Sequence, residues 1–427
     1  MGNDDLRERL KRMGVRQGAH SPRRQIQQPR RAIEDLLPGE VVDTDHGSCF
    51  LYRETYDPGY HHGVHALADL LAHRPEAASR LARDERLADV DFRQMAFVDT
   101  ETTGLAGGTG TYAFLVGVGR FEGDQFTIYQ FFMRDFYEEP AQLHALGELL
   151  DGLEAVVSFN GKSFDLPLLE TRFIMARQLP RLTDAPHLDL LPVARRFWKY
   201  RLDSCALSSL ESEVLGVRRT QDDVPGWLIP DLYIDYARNG DAREIMRVFY
   251  HNAQDILSLV TLTARQCDLL TMPLPGGGEV AGEDLFGLGR VLHDLGQLDR
   301  AEAAYVQAAH TSRSSPVREM AMRDLAYLLK RQERWAEALP WWQQLVESAG
   351  AVYACEELAK HHEWRAEDLP LAITWTQRGA ALAKEWPSGP KRHNTLSDLE
   401  HRQERLHRKQ GLGSAQDGAA FEPQTTR

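Results

Sequence analysis

Cysteine is scarce in this chain, and what there is lies scattered. Cys49, Cys205, Cys267 and Cys355 form no CxxC pair. Neither a zinc site nor a disulfide framework is indicated, and reduced, mostly buried thiols are expected. Long apolar runs are also lacking, since none approaches the ~20 residues of a membrane span. Positive charge is in deficit. The 50 Lys and Arg stand against 63 Asp and Glu, a formal charge of −13. That balance argues against a protein that coats itself with nucleic acid non-specifically. It leaves room for a nucleic-acid enzyme whose acidic site is masked by metal ions. The opening MGNDDLRERLKRMG lacks the apolar stretch of a secretory signal. Position 6 is Leu6 rather than Ser or Thr, so the Met-Gly acylation pattern is incomplete. The expectation is a cytoplasmic protein with no membrane partner.

Residues 1–44 are polar and Arg-rich and read as a flexible basic arm, either a solvated tail or one that touches nucleic acid. Residues 45–270 read as globular. SCFLYRETY alternates like a strand. QMAFVD, GTYAFLVGVGRF and QFTIYQFFMRD are three further strands, the last two joined by the turn signal EGD. EPAQLHALGELLDGL is an amphipathic helix with Pro140 in its first turn, EAVVSFN a strand, and LPLLETRFIMARQ a helix. This order is not a regular βαβ alternation. It predicts an α/β domain, a mixed sheet flanked by helices, with its core at about 91–270. Ile245, Val248, Phe249, Ile256, Leu259, Val260 and Leu262 recur at helical spacing and predict one long helix. Residues 271–284, where Pro and Gly cluster, predict a linker.

Beyond the linker the texture becomes helical and repetitive. LFGLGRVLHDLGQLDRAEAAYVQA and MRDLAYLLKRQERWAEALPWWQQL align with a period of 37 residues. Leu292 answers Leu329, and Tyr305 answers Trp342. A looser third copy runs through Leu358, Ala359 and Ala372. Over 285–385 the pattern resembles the tetratricopeptide repeat, about 34 residues long. That implies an all-α repeat domain and a protein partner for it. Residues 386–427 are polar and are expected to be disordered.

The chemistry concentrates in FVDTETTGLAGGTGTYAFLVG, Phe97 to Gly117. Positions two apart on a strand face the same side, so Asp99 and Glu101 project together. FNGKSFDLPLL ends a later strand and delivers Asp165 at a helix start. His251 and Asp255 stand at i and i+4 on the long helix, on one face. Four acids from three elements are thus expected at one edge of the sheet. Without counter-charge they repel. A pair of divalent ions removes the conflict, and hard oxygen ligands suit Mg2+ or Mn2+. Two such ions clamp the attacking and leaving oxygens of a phosphodiester.

Asp99-x-Glu101 with Thr102-Thr103-Gly104-Leu105, Asn160 with Phe164-Asp165, and a histidine ahead of Asp255 together resemble the DEDD (DnaQ-like) exonuclease superfamily on the ribonuclease H-like fold. The strings HLDLLPVARRFW, DDVPGWLIPDLY and FYHNAQDILSLV, with those above, are similar to the bacterial YprB-like group of ribonuclease H-like exonucleases. The likeness spans about 45–385, and members of that group often carry tetratricopeptide units after the nuclease domain. It implies a hydrolase, a 3′–5′ exonuclease acting on DNA or RNA. It implies two metal ions on Asp99, Glu101, Asp165 and Asp255, and a His or Tyr ahead of the last Asp that assists the attacking water. It marks Thr102, Gly104, Leu105, Asn160 and Phe164 as substrate-binding. Histidine-type members place the His five residues before that Asp. Here Tyr250 fills that slot, and His251 takes the slot of tyrosine-type members. His251 is assigned as base on its chemistry, with Tyr250 open as the alternative. A structure-selective endonuclease or RNase H-type enzyme could use the same site. A repeat scaffold with a vestigial site is a third reading, against which the presence of all four acids counts.

Smaller features complete the reading. GKS at 161–163 is not a P-loop, because the pattern needs Gly where Val156 stands. Gly107, Gly108 and Gly110 precede a strand, so they serve a tight turn or a close approach to a nucleotide. ARRFWKYR interleaves Arg195, Arg196 and Lys199 with aromatics. It reads either as a grip on a single strand or as a half-buried amphipathic helix. Asp189 is a fifth acid, structural or near the site. His61, His62 and His65 lack a partnering acid at a fixed offset and are expected to be hydrogen-bonded or at the surface.

Overall fold

The computed structural model describes residues 29–104, 109–179, 184–220, 222–274 and 280–417. The arm up to residue 28, Leu105, Gly107, Gly108, the middle of the expected linker and the last ten residues lie outside them. The strands are β1 (Glu40–Thr44), β2 (Gly47–Tyr56), β3 (His61–His62), β4 (His65–Ala66), β5 (Met95–Thr102), β6 (Ala113–Glu122), β7 (Gln125–Phe132), β8 (Ala155–Ser158) and β9 (His187–Asp189). Seven of them form one sheet in the order β1-β2-β7-β6-β5-β8-β9, and β3 pairs with β4. Neighbours from β1 to β5 run antiparallel, while β8 and β9 continue parallel to β5. The expected mixed sheet with its β5–β6–β7 meander is present. Two strands were not expected in it: β1, assigned to the arm, and β2, an extension of the domain, widen the sheet beyond β7. Residues 40–44 are therefore part of the sheet, and Ile33 ahead of them is buried.

Strand parity sets the layers. On β5, Ala96 and Val98 face the apolar cluster built with α2 (Glu139–Leu150) and α3 (Asp165–Met175). Met95 and Phe97 face the opposite cluster, built with α4 (Leu190–Trp198) and α6 (Ile245–Thr271). A third cluster seats α5 (Ile229–Asn239), whose Tyr233 stacks on Phe114 at 4.0 Å. Both faces are covered at the middle of the sheet, so β6 is buried along nearly its whole length, while the edge strand β1 stays largely exposed. Glycine lets α6 lie directly on it. A Cβ on Gly117 would fall 2.2 Å from Asn252 Oδ1, and one on Gly119 would fall 2.6 Å from Ile256 Cγ2. Glycine inside a strand is costly unless it admits such an approach.

An all-helical region follows: α7 (Gly282–Asp294), α8 (Leu298–Thr311), α9 (Ser315–Arg331), α10 (Trp335–Ala349), α11 (Val352–Trp364), α12 (Leu369–Lys384) and α13 (Pro390–Asp417). Gly289 admits the Tyr305 ring, which sits 2.6 Å from where its Cβ would be, and Trp342 fills the equivalent place one unit on, fully buried. The polar tail is not disordered throughout, since α13 occupies much of it. Leu399 and Leu406, seven apart on one helix face, are buried against α11 and α12. Glu363, whose side chain is 0% exposed, takes Arg402, Arg405 and Lys409 from that helix. The many charges of this stretch hid a two-leucine stripe.

The junction between the two regions is packed. One apolar cluster runs from β5 through Phe197 and Trp198 to Leu285, Phe286 and Trp342. Arg201 Nε meets Asp284 at 2.7 Å, and Arg300 donates to Leu270 O at the end of α6 and to Met272 O just past it. Gly282 already opens α7, so the C-terminal end of the expected linker is helical. A Cβ on Gly287 would stand 2.2 Å from Phe197 O, a backbone atom that cannot step aside. Gly287→Ala is therefore expected to destabilise the whole protein by about 1–3 kcal/mol, the usual cost of overpacking. Chemical denaturation followed by both fluorescence and circular dichroism should show one transition moved to lower denaturant. An unmoved midpoint would mean that the junction is loose.

Candidate active site

Asp99 and Glu101 keep the parity of Phe97, so they project from β5 toward α6. Asn252, from α6, donates Nδ2 to Asp99 Oδ2 at 2.7 Å and is itself held by Gln130 Nε2 at 2.8 Å. Thr100 has the opposite parity and reaches α3, where its hydroxyl donates to Asp165 Oδ1 at 2.5 Å. Asp165 is the first residue of α3. The loop before it is clamped by the buried Asp189, which accepts from Asn160 N at 2.7 Å, Lys162 N at 3.3 Å and Leu191 N at 3.2 Å. Asn160 adopts φ 66°, a left-handed turn that asparagine tolerates. Asp189 thus positions the Asp165 loop and caps α4. Arg172 of α3 forks onto Glu139 at 2.5 Å, donates to Thr109 O at 2.8 Å, and lies 4.0 Å over the Tyr112 ring. It ties α3 to the segment that returns from the glycine loop.

The acids feel one another. Burial, then Asp255 and Asp165, push Asp99 well above the usual carboxylate range. Burial, then Asp99, Asp255 and Asp165, do the same to Glu101. Asp165 is raised to about 6, chiefly by burial. Asp255 completes the group from α6, and His251 lies one turn before it. His251 Nδ1 stands 2.7 Å from Asp223 Oδ1 and 3.1 Å from Arg219 Nη1. A carboxylate only accepts and a guanidinium only donates, so the shorter contact puts the proton on Nδ1. Nε2 then keeps its lone pair, 3.7 Å from Asp255 Oδ2. Tyr250 faces another flank of α6, in a cleft with Tyr52, Tyr56 and Tyr60.

Arg219 enters from the segment between the π-helical turn Glu211–Leu215 and α5. It pairs with Glu211, Asp223 and Asp255. The fields of Asp255 and Glu211 outweigh the burial that opposes its charge and raise its pKa. Among the described residues no group of three or more His, Cys, Asp and Glu stands ready-formed around a cation position. The donor chemistry nonetheless fits a divalent ion. Asp99, Glu101 and Asp165, whose carboxyls burial first and neighbouring acids second push toward the protonated form, are groups that a cation would ionise.

The other candidate residues divide. Thr102 turns its hydroxyl onto Gly104 O at 2.9 Å, shaping the chain just past the acids. Phe164, beside Asp165, is 57% exposed. Leu105 lies outside the described residues. Arg195, Arg196 and Lys199 are not brought to the acids. Arg196 donates to Leu81 O, in the helix α1 (Pro75–Ala82), and Lys199 covers Tyr200 at 4.9 Å. Phe197 and Trp198 bury toward α7, so this run is the amphipathic helix of the two readings. His62 is buried on Ser258 at 2.7 Å. Asn252, Arg219, Asp223 and Glu211 were not foreseen. Gly117 and Gly119 hinted at a close helix, but nothing in the local pattern marked Arg219.

This mixed sheet, with carboxylates at the end of the interior strand β5, has a counterpart among known proteins. A family model described as the RNase_H superfamily matches residues 96–266, in keeping with the ribonuclease H-like fold of the mixed sheet and its flanking helices. Ribonuclease H-like nucleases generally use divalent metal ions. The chain is also 29% identical over 335 residues to the uncharacterized protein YprB of Bacillus subtilis (strain 168), covering 76% of this chain and 78% of that protein. No described helix is long and apolar enough to cross a membrane.

The raised acids carry a pH signature. Folded, Asp165 binds a proton up to about pH 6, whereas an unfolded Asp releases it near 4. The cation-free protein is therefore expected to lose stability as pH rises through that window. Asp165→Asn should remove on the order of 3 kcal/mol of this loss, read as a smaller fall in melting temperature between pH 4.5 and 7.5 in chelator. Equal falls in variant and wild type would place the proton elsewhere.

Proposed function

We propose that this chain is a divalent-cation-dependent nuclease, a 3′–5′ exonuclease of the DEDD type that hydrolyses phosphodiester bonds of DNA or RNA. The observation that carries the reading is the mutual approach of Asp99, Glu101, Asp165 and Asp255, with the free Nε2 of His251 beside Asp255. The four carboxylates would hold Mg2+ or Mn2+, two ions in the full reading, which when bound offset the charge on the attacking and leaving oxygens. His251 takes the proton of the attacking water on Nε2. Asp223, bonded to Nδ1, is a positioning residue that fixes the tautomer and steadies the imidazolium. Asn252 turns Asp99. The exposed ring of Phe164 offers a stacking face to a terminal base. Water adds to phosphorus, the bond to the 3′-oxygen breaks, and a 5′-phosphorylated nucleotide leaves.

The helices over 285–385 are proposed as tetratricopeptide-like units that seat a protein partner or guide the substrate. The small-residue and aromatic pairing of Gly289 with Tyr305 supports this. Polarity is tested with 5′-end-labelled single strands of DNA and RNA in Mg2+. A ladder that shortens one nucleotide at a time, and stalls on a 3′-phosphorylated end, is expected. Internal cuts, or cutting of a circular strand, would replace the exonuclease by an endonuclease on the same site.

A further inference from the structure

A buried cation already sits among the carboxylates. Arg219 Nε and Nη2 fork onto the two oxygens of Glu211 at 2.8 and 2.6 Å. Glu211 is fixed in turn by the Ser258 hydroxyl at 2.5 Å. This is not a surface arginine free to swing, because its side chain is 13% exposed and that of Glu211 is 3% exposed. The outer edge of the guanidinium meets Asp255 Oδ1 through Nη2 and faces His251 through Nη1. Glu211 itself lies in a π-helical turn, an irregularity that recurs at functional sites.

The two ends of the acidic cluster are therefore unequal. At the Asp255 end a fixed positive charge is in place. It cannot be displaced without leaving Glu211 charged and unpaired in the interior, which is strongly unfavourable. At the other end Asp99 is met by the neutral Asn252 amide and Asp165 by the Thr100 hydroxyl. A divalent ion approaching Asp255 meets the guanidinium in direct contact with that carboxylate, whereas one approaching Asp99, Glu101 and Asp165 feels its charge only at longer range, since Arg219 makes no hydrogen bond to those three.

We infer that Arg219 is a positioning residue that stands in for one of the two cations. The substrate-free protein then takes a single divalent ion, at the Asp99–Glu101–Asp165 end. A second ion joins at Asp255 only when a nucleic-acid phosphate adds negative charge. This inference rests on the nuclease reading.

Counting Mn2+ bound per chain, by electron paramagnetic resonance of the free ion and by calorimetry, tests it on the wild-type protein. One ion is expected alone, and two with a phosphorothioate single strand that resists cleavage. Glu211→Gln/Arg219→Gln removes both members of the buried pair together. It is expected to take two ions without nucleic acid, the first at wild-type affinity, which reports an intact fold. Arg219→Lys keeps a charge and should stay at one. Two ions of similar affinity in the wild-type protein alone would overturn the inference and leave the nuclease reading standing. No Mn2+ bound by the wild-type protein, with or without the strand, would overturn both.

Discussion

Asp99→Asn is expected to lose divalent-dependent cleavage by more than about 10²–10³-fold, the scale on which removing one preorganised electrostatic partner acts, while the protein stays folded. The substitution keeps the shape and an oxygen that can still accept from Asn252 Nδ2. It removes only the charge. Burial first, and then Asp255 and Asp165, push the proton affinity of Asp99 up. Relieving that repulsion should leave the cation-free variant as stable as wild type or more so. Rate and melting temperature therefore move in opposite directions. A variant that is both inactive and unfolded would show a structural role instead, and one that cleaves at the wild-type rate would remove Asp99 from the chemistry.

The second large effect belongs to His251. His251→Ala should cost about 10²–10⁴-fold in rate, the range for losing a general base, with cation affinity little changed. Asp223→Asn should lower the rate less than His251→Ala, because a neutral amide can face Nδ1 as donor or acceptor and so no longer fixes the ring's tautomer. Tyr250→Phe should leave the rate near wild type. One residue along a helix turns the side chain by about 100°, and Tyr250 lines the tyrosine cleft on another flank of α6. A crippled Tyr250→Phe beside an active His251→Ala would reverse the assignment.

Much of the candidate site's geometry was readable because its acids sit on regular elements. Period two on β5 puts Asp99 and Glu101 on one face. A helix start places Asp165, and period 3.6 on α6 pairs His251 with Asp255. The residues that surround these acids were not readable, for a physical reason. Arg219 and Asp223 come from an irregular segment after a π-helical turn, where no period relates a residue to a direction. Asn252 is one residue along from His251, and only the glycines facing it on β6 reveal how close it comes. Composition left two readings open at Arg195, Arg196 and Lys199. A run mixing arginine with aromatics suits a nucleic-acid groove, but Phe197 and Trp198 are spent on the core shared with α7. The edge strand β1 and the tail helix α13 were missed alike, because one short valine pair and two leucines among charges fall below any periodic signal.

The central claim is that these carboxylates, loaded with a divalent ion, hydrolyse phosphodiester bonds. It is tested most directly by incubating the purified full chain with end-labelled single strands of DNA and RNA, in Mg2+ or Mn2+ and in excess EDTA, beside Asp99→Asn prepared identically. The account predicts labelled products with either ion, none in EDTA, and none from the variant. Products that persist in EDTA, or that the variant makes equally well, would contradict it.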